Sequence, residues 1–196
     1  MTGPRLVLVS AGVILIGLLA WAINGGLQGV GSAPPESPAA VAEPAMSPEV
    51  PRIAATLFFA SADGLALVPV LREVALAEGL VLQGRAILTA QLDSPPPSYG
   101  SVIPEGTQLR AFYVTERGDA FVDLSLETSA PHMGGSSAEL LAVYAIVHAV
   151  TANLTTIQRV QILIDGREAD TLAGHVDLRR PLVSDMSLVR GASDAP

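Results

Sequence analysis

Ser136-Ser-Ala-Glu139-Leu-Leu-Ala-Val-Tyr-Ala-Ile-Val-His-Ala-Val150, followed by Val160-Gln-Ile-Leu-Ile-Asp-Gly166, is the stretch that decides the fold. Ser136 precedes Glu139 by three residues, the spacing at which a hydroxyl and a carboxylate each satisfy a free N–H at a helix start. Behind them Leu140, Val143, Tyr144, Val147 and Val150 recur at i, i+3, i+4, i+7, which predicts a core-facing helix ending near Asn153. Val160 to Ile164 then reads as a strand. Asp165-Gly166 suits a tight turn with positive φ, and a short return strand is expected through Thr171-Leu172. A helix and a strand that each carry one apolar face need a layer to pack on.

Upstream, Ile53-Ala-Ala-Thr-Leu-Phe-Phe-Ala60 is a strand bounded by Ser61, Asp63 and Gly64, and Ala66 to Ala75 is a second strand that pairs with it as a hairpin. Pro69 lies inside that second run. Lacking an N–H, it marks an edge position or a bulge. Leu80, Ile87, Leu88 and Gln91-Leu92 repeat at near-helical spacing and stop before Ser94 and Pro95 to Pro97, which predicts a helix from about Gly79 to Leu92. Gly79 and Gly84 weaken it by up to about 1 kcal/mol each relative to Ala. After an exposed loop to Pro104, Leu109 to Val114 and Ala120 to Leu124 form a second hairpin turning at Arg117-Gly118-Asp119. The order is ββαββαβ, an α+β two-layer sandwich with two helices on one face of a single sheet.

The chain has 196 residues, enough for one such domain with appendages. Leu6 to Ile23 is uncharged and just long enough to cross a bilayer, with Trp21 where an interfacial aromatic would sit and Arg5 on the cytoplasmic side. A cleaved signal peptide is the rival reading of the same residues. The expected organisation is an N-terminal transmembrane anchor over 1–24 and a Pro-, Ala- and Gly-rich linker over 25–51. The domain follows over 52–185, with a flexible tail over 186–196. This makes the chain a single-pass protein of the cytoplasmic membrane, N-terminus inside and domain extracytoplasmic. A formal charge of -8 argues against nucleic acid, and the absence of Cys excludes disulfides, thiol nucleophiles and zinc-thiolate sites.

Five segments are similar in sequence and order to the GerMN family: Ile103 to Leu109, Phe121 to Ser125, Gly134 to Val147, Val160 to Gly166 and Leu172 to Leu178. Leu67-Val-Pro-Val70 and Arg72-Glu-Val74 resemble the family's second strand, so the resemblance runs from about Ile53 to Leu182. It implies a domain of membrane-tethered extracytoplasmic bacterial proteins, associated with sporulation and germination, and it implies no reaction.

Catalysis would need groups that move protons or attack, so His132, His148 and His175 come first, with Asp123, Asp165 and Asp177 as acidic partners. Their scattered positions match no metal spacing. Ser136 and Ser137 sit where a helix dipole would favour an anion, but capping explains them, and no Gly-x-Ser-x-Gly elbow is present. Asp123 and Asp165 would suit a retaining glycosidase only if brought about 5 Å apart across a cleft. Of the aromatic residues Phe58, Phe59, Tyr99, Phe112, Tyr113, Phe121 and Tyr144, Tyr99 in the Pro-rich loop is the one expected to be free for a glycan. The resulting expectation is a non-enzymatic binding or assembly domain of the cell envelope, with no catalytic, cofactor or metal residue. Its partners would be an envelope protein or a second copy, met at open sheet edges. A cell-wall glycan or peptide module is the alternative, and an envelope hydrolase using Asp123, Asp165 or His175 the third reading.

Overall fold

The computed structural model describes residues 50–129 and 135–191. The expected anchor, the linker before Val50, His132 and the last five residues lie outside them. Strands β1 (Arg52–Ala60) and β2 (Leu67–Ala75) pair antiparallel from Arg52↔Ala75 to Ala60↔Leu67. Helix α1 (Leu80–Leu92) follows. Strands β3 (Leu109–Val114) and β4 (Asp119–Leu124) form the second hairpin, and helix α2 (Gly135–Asn153) carries the chain across to β5 (Arg159–Ile164), which is parallel to β4. A parallel neighbour requires such a crossover. The short β6 (Arg167–Glu168) closes the order β3-β4-β5-β6.

The domain is α+β, but it has two sheets, not one. The reason lies at the inner edge of β1, where another strand would have to pair. Thr56 donates its N–H to Asn153 Oδ1 (2.8 Å) and accepts from Asn153 Nδ2 (2.7 Å). Phe58 does the same with Gln91 Oε1 and Nε2, both at 2.8 Å. Ala60 exchanges two backbone bonds of 3.0 Å with Gly100. Side chains of α1 and α2 therefore stand where a neighbouring strand would run, and the two helices join the sheets. Alternation of apolar residues marks faces and says nothing about which strands are neighbours.

Helix α2 is buried on more than the expected stripe. Leu141, Ala142, Ala145, Ile146 and Ala149 are enclosed along with Val143, Val147 and Val150, while Leu140 and Tyr144 are half-buried. A helix that packs on both sheets needs apolar residues around most of its circumference. Helix α1 turns Gln83, Gly84, Ile87, Leu88 and Gln91 inward and leaves Leu80, Val81 and Leu82 exposed. A Cβ on Gly84 would collide with Cε1 of the buried Phe112, so this glycine permits a close approach of α1 to β3.

The expected return strand through Thr171-Leu172 stops at Glu168 because the next segment bonds to α2 instead. Beyond it, Leu182 bridges Val160 of β5, a 3-10 turn covers Met186–Leu188, and Val189 bridges Leu67 of β2. Arg190 N donates to Leu67 O at 2.8 Å. Residues 182–190, of which 186–190 were expected as tail, thus strap one sheet to the other.

Candidate functional site

Glu139 does not make the expected capping box. Its side chain is fully buried, and its carboxylate receives the N–H groups of Leu172, Ala173 and Val176 on Oε1 and that of His175 on Oε2, at 2.9–3.1 Å. His175 Nδ1 adds a bond to Oε2 at 2.7 Å, with the imidazole half exposed. Burial pushes the Glu139 pKa up, but the backbone donors of Ala173 and Val176 and the imidazole and N–H of His175 outweigh it and hold the acid below its usual range. The arrangement anchors the 172–176 loop to α2. An oriented imidazole is half of a general-base pair, but no hydroxyl bonds to its other nitrogen among the described residues.

Asp123 and Asp165 are brought together, as ion-pair partners of one cation. Arg110 Nε lies 3.5 Å from Asp123 Oδ2 and its Nη1 3.2 Å from Asp165 Oδ1. Asp123 Oδ1 also accepts from Gly166 N at 2.7 Å, which fixes the turn whose Asp165 (φ 50°) and Gly166 (φ 76°) both have positive φ, as expected. An open cleft of about 380 Å³ lined by Gln108, Arg110, Ser125, Leu126, Glu127 and Asp165 lies beside them. The two carboxylates thus share one guanidinium, and Asp123 also holds the turn in place.

His148 is buried between the rings of Phe58 and Tyr144, with Nε2 3.1 Å from Asp185 O and Nδ1 3.0 Å from Ser184 Oγ. Burial lowers its pKa despite the Asp185 carbonyl, so it is a neutral tie between α2 and the strap. Asp177 pairs with Arg179 at 2.8 Å in solvent, away from the Glu139–His175 contact. Ser136 and Ser137 are exposed on the first turn of α2. Tyr99 packs half-buried against the core, and among the described residues the aromatic side chain left in solvent is Tyr113, 58% exposed and opposite Phe121 across β3 and β4. Gln91, Asn153 and Gln83 carry structural roles that periodicity had hidden, because a carboxamide that completes a strand edge occupies the same inward positions as a core leucine.

The outer edge of β2 is a surface with unmet bonding capacity among the described residues. Since Thr56 and Phe58 point away from β2, their partners Leu71 and Pro69, and by alternation Glu73 and Ala75, point away from β1. The strap covers Leu67 and Gln83 Nε2 bonds Ala75 O at 3.2 Å. Among the described residues nothing pairs with the N–H and C=O of Leu71 and Glu73, the N–H of Ala75 or the C=O of Pro69. Leu71 is 73% exposed there, with Leu76, Leu80, Val81 and Leu82 exposed after it.

A fold of two helices and two sheets with this strand order belongs to a recognisable class. The family model described as "Germane: Sporulation and spore germination" matches residues 56–170, and the chain belongs to that family. Among solved structures, the tandem GerMN domains of the sporulation protein GerM from Bacillus subtilis are 17% identical with a TM-score of 0.51, over 69% of this chain and 46% of that one. The chain thus spans about half the tandem structure. The first GerMN domain of the same protein is 16% identical (TM-score 0.47, 68% and 96% covered), and a candidate lipoprotein of Clostridium perfringens is 21% identical (TM-score 0.49, 70% and 91%). No curated protein matches the chain.

Proposed function

We propose that this chain is a non-enzymatic binding or assembly domain of the cell envelope, held at the cytoplasmic membrane by residues 6–23 and displayed on the outer side by its Pro-rich linker. The observation that supports it best is the contrast between engaged chemistry and an open edge. Glu139, Asp123 and His148 each hold a loop, a turn or the strap, while β2 presents unpaired backbone groups beside exposed leucines. Groups tied into the fold are poor acids and nucleophiles, and strand edges are ready templates for another chain. A family associated with sporulation and germination is compatible with such a role.

The chain has no Cys, so single cysteines report location cleanly. Leu126→Cys, on a 61% exposed side chain, is expected to react with a membrane-impermeant maleimide in intact cells carrying the full chain. Labelling only after permeabilisation would place the domain in the cytoplasm and end this reading.

Tyr113 favours wall-glycan binding as the second reading, since an exposed ring beside Phe121 is a surface on which a sugar can stack. Under that reading Tyr113→Ala reduces retention of the chain on isolated cell wall. Unchanged retention removes glycan binding through this ring.

A further inference from the structure

We propose that β2 pairs with β2 of a second copy of this chain, antiparallel about a twofold axis at Arg72, to give a continuous β1-β2-β2′-β1′ sheet. The proposal rests on the assembly reading above and names its partner. Along the open edge, Pro69 offers an acceptor alone, Leu71 and Glu73 each offer a donor and an acceptor, and Ala75 offers a donor alone because its carbonyl already accepts from Gln83. That order is its own complement when reversed. With Arg72 opposite Arg72′, Leu71 faces Glu73′ and Pro69 faces Ala75′, so the three donors of each copy meet three acceptors of the other.

Pro69 selects this register over its neighbour. If Leu71 stood opposite Leu71′, Pro69 would face Glu73′ and leave the Glu73′ carbonyl without a donor. In the proposed register its missing N–H falls opposite the one carbonyl that has a donor within its own subunit. The strap at Leu67 ends the available edge two residues before Pro69.

The side chains fit the same axis. Arg72 would face Arg72′, but its guanidinium lies 5.3 Å over the Phe59 ring and donates to Ala90 O (3.4 Å) and Ser94 O (2.9 Å), which draws each charge back onto its own subunit. On the other face Leu71 lies beside Glu73′ and diagonal to Leu71′, so the most exposed leucine of the domain is covered.

Two differently tagged full-length chains, one with Leu71→Cys and one with Glu73→Cys, are mixed in detergent and oxidised. The mixed disulfide is expected several-fold above either homodimer, with none from the remote Tyr113→Cys. Leu71→Glu, which sets carboxylates against each other across the axis, is expected to weaken dimerisation roughly tenfold by light scattering, whereas Leu71→Lys, facing Glu73′, retains it. Equal yields at all three cysteines, or equal behaviour of the Glu and Lys variants, overturns the pairing. If a truncation after Gly191 alone produces the dimer, the chain's own last five residues occupy the edge in the intact protein, which also overturns it. These results are independent of the maleimide test: an outward domain without the mixed disulfide leaves the envelope reading standing.

Discussion

The two edges of the β1–β2 sheet are built from one hairpin and meet opposite fates. On the β1 side, the outward groups of Thr56, Phe58 and Ala60 close on Asn153, Gln91 and Gly100. On the β2 side, the outward groups from Pro69 to Ala75 have no partner among the described residues apart from the Ala75 carbonyl. A carboxamide carries one acceptor and two donors at nearly the spacing of a peptide group, so a glutamine can take the place of a strand residue. Closing the β1 edge from Thr56 to Ala60, with two helix side chains and the Gly100 backbone, ties that stretch to the helices and leaves the β2 edge turned outward.

The largest effect should come from breaking the closed edge. Gln91 is 2% exposed, and Gln91→Leu leaves the N–H and C=O of buried Phe58 without partners. Each unsatisfied group costs about 1–3 kcal/mol, so a loss of about 3–5 kcal/mol is expected in urea unfolding. A loss below about 1 kcal/mol would mean that the carboxamide is not what closes this edge. Asn153→Ala should cost less, because Thr56 is only half-buried.

Glu139 applies the same device to the 172–176 loop with a carboxylate. In Glu139→Gln an NH₂ faces donors on one side, which should cost about 2–3 kcal/mol near neutral pH. The folded pKa lies below the usual 4.5, so this stabilisation is complete above that value and is lost as pH falls through the folded pKa. The variant should therefore show a shallower loss of stability below pH 4.5. The buried His148 acts in a separate window. Its folded pKa lies below 6.5, so the unfolded chain takes up a proton first, and stability falls as pH drops below about 6.5 in both proteins. An unchanged slope below pH 4.5 in Glu139→Gln would show that the acid limb has another source.

Gly84 sharpens the comparison, because it sets how closely α1 approaches β3 in the layer from which Gln91 reaches β1. Gly84→Ala gains about 1 kcal/mol of helix propensity but drives a methyl into the Phe112 ring, for a net loss of about 1–2 kcal/mol. Phe112→Leu in the same chain should recover part of it. If Gly84→Ala alone is stabilising, α1 moves more freely than the packing implies.

These cases also mark how much was legible in the sequence. Apart from the return strand, which ends at Glu168 and does not run through Thr171-Leu172, the strand and helix segments are readable from period and turn chemistry, down to Pro69 at an edge or bulge and the positive φ at Asp165-Gly166. The two-sheet arrangement was not, because it depends on Gln91 and Asn153, which periodicity counts as part of an apolar face or as a helix end. Glu139 was legible as a polar residue near a helix start, but its partners lie 33 to 37 positions away, beyond any local rule. His148, His175, Asp123 and Asp165 stand out in the sequence as titratable groups, whereas their roles as ties follow from contacts that only the fold brings together.

The smallest effect on stability is expected where the effect on association is largest. Leu71 is 73% exposed, and its backbone is held to β1 only through neighbouring positions, so Leu71→Glu should change the unfolding free energy of a dilute monomer by no more than about 0.5 kcal/mol. Gln91→Leu does the reverse: it destabilises each copy and leaves the open edge as it was. If both variants lose stability alike at low concentration, Leu71 supports its own fold and the distinction between the edges fails. If Leu71→Glu is neutral in dilute solution but removes the rise of stability with concentration that mass action gives a dimer, the outer edge is an interface and the inner one part of the core.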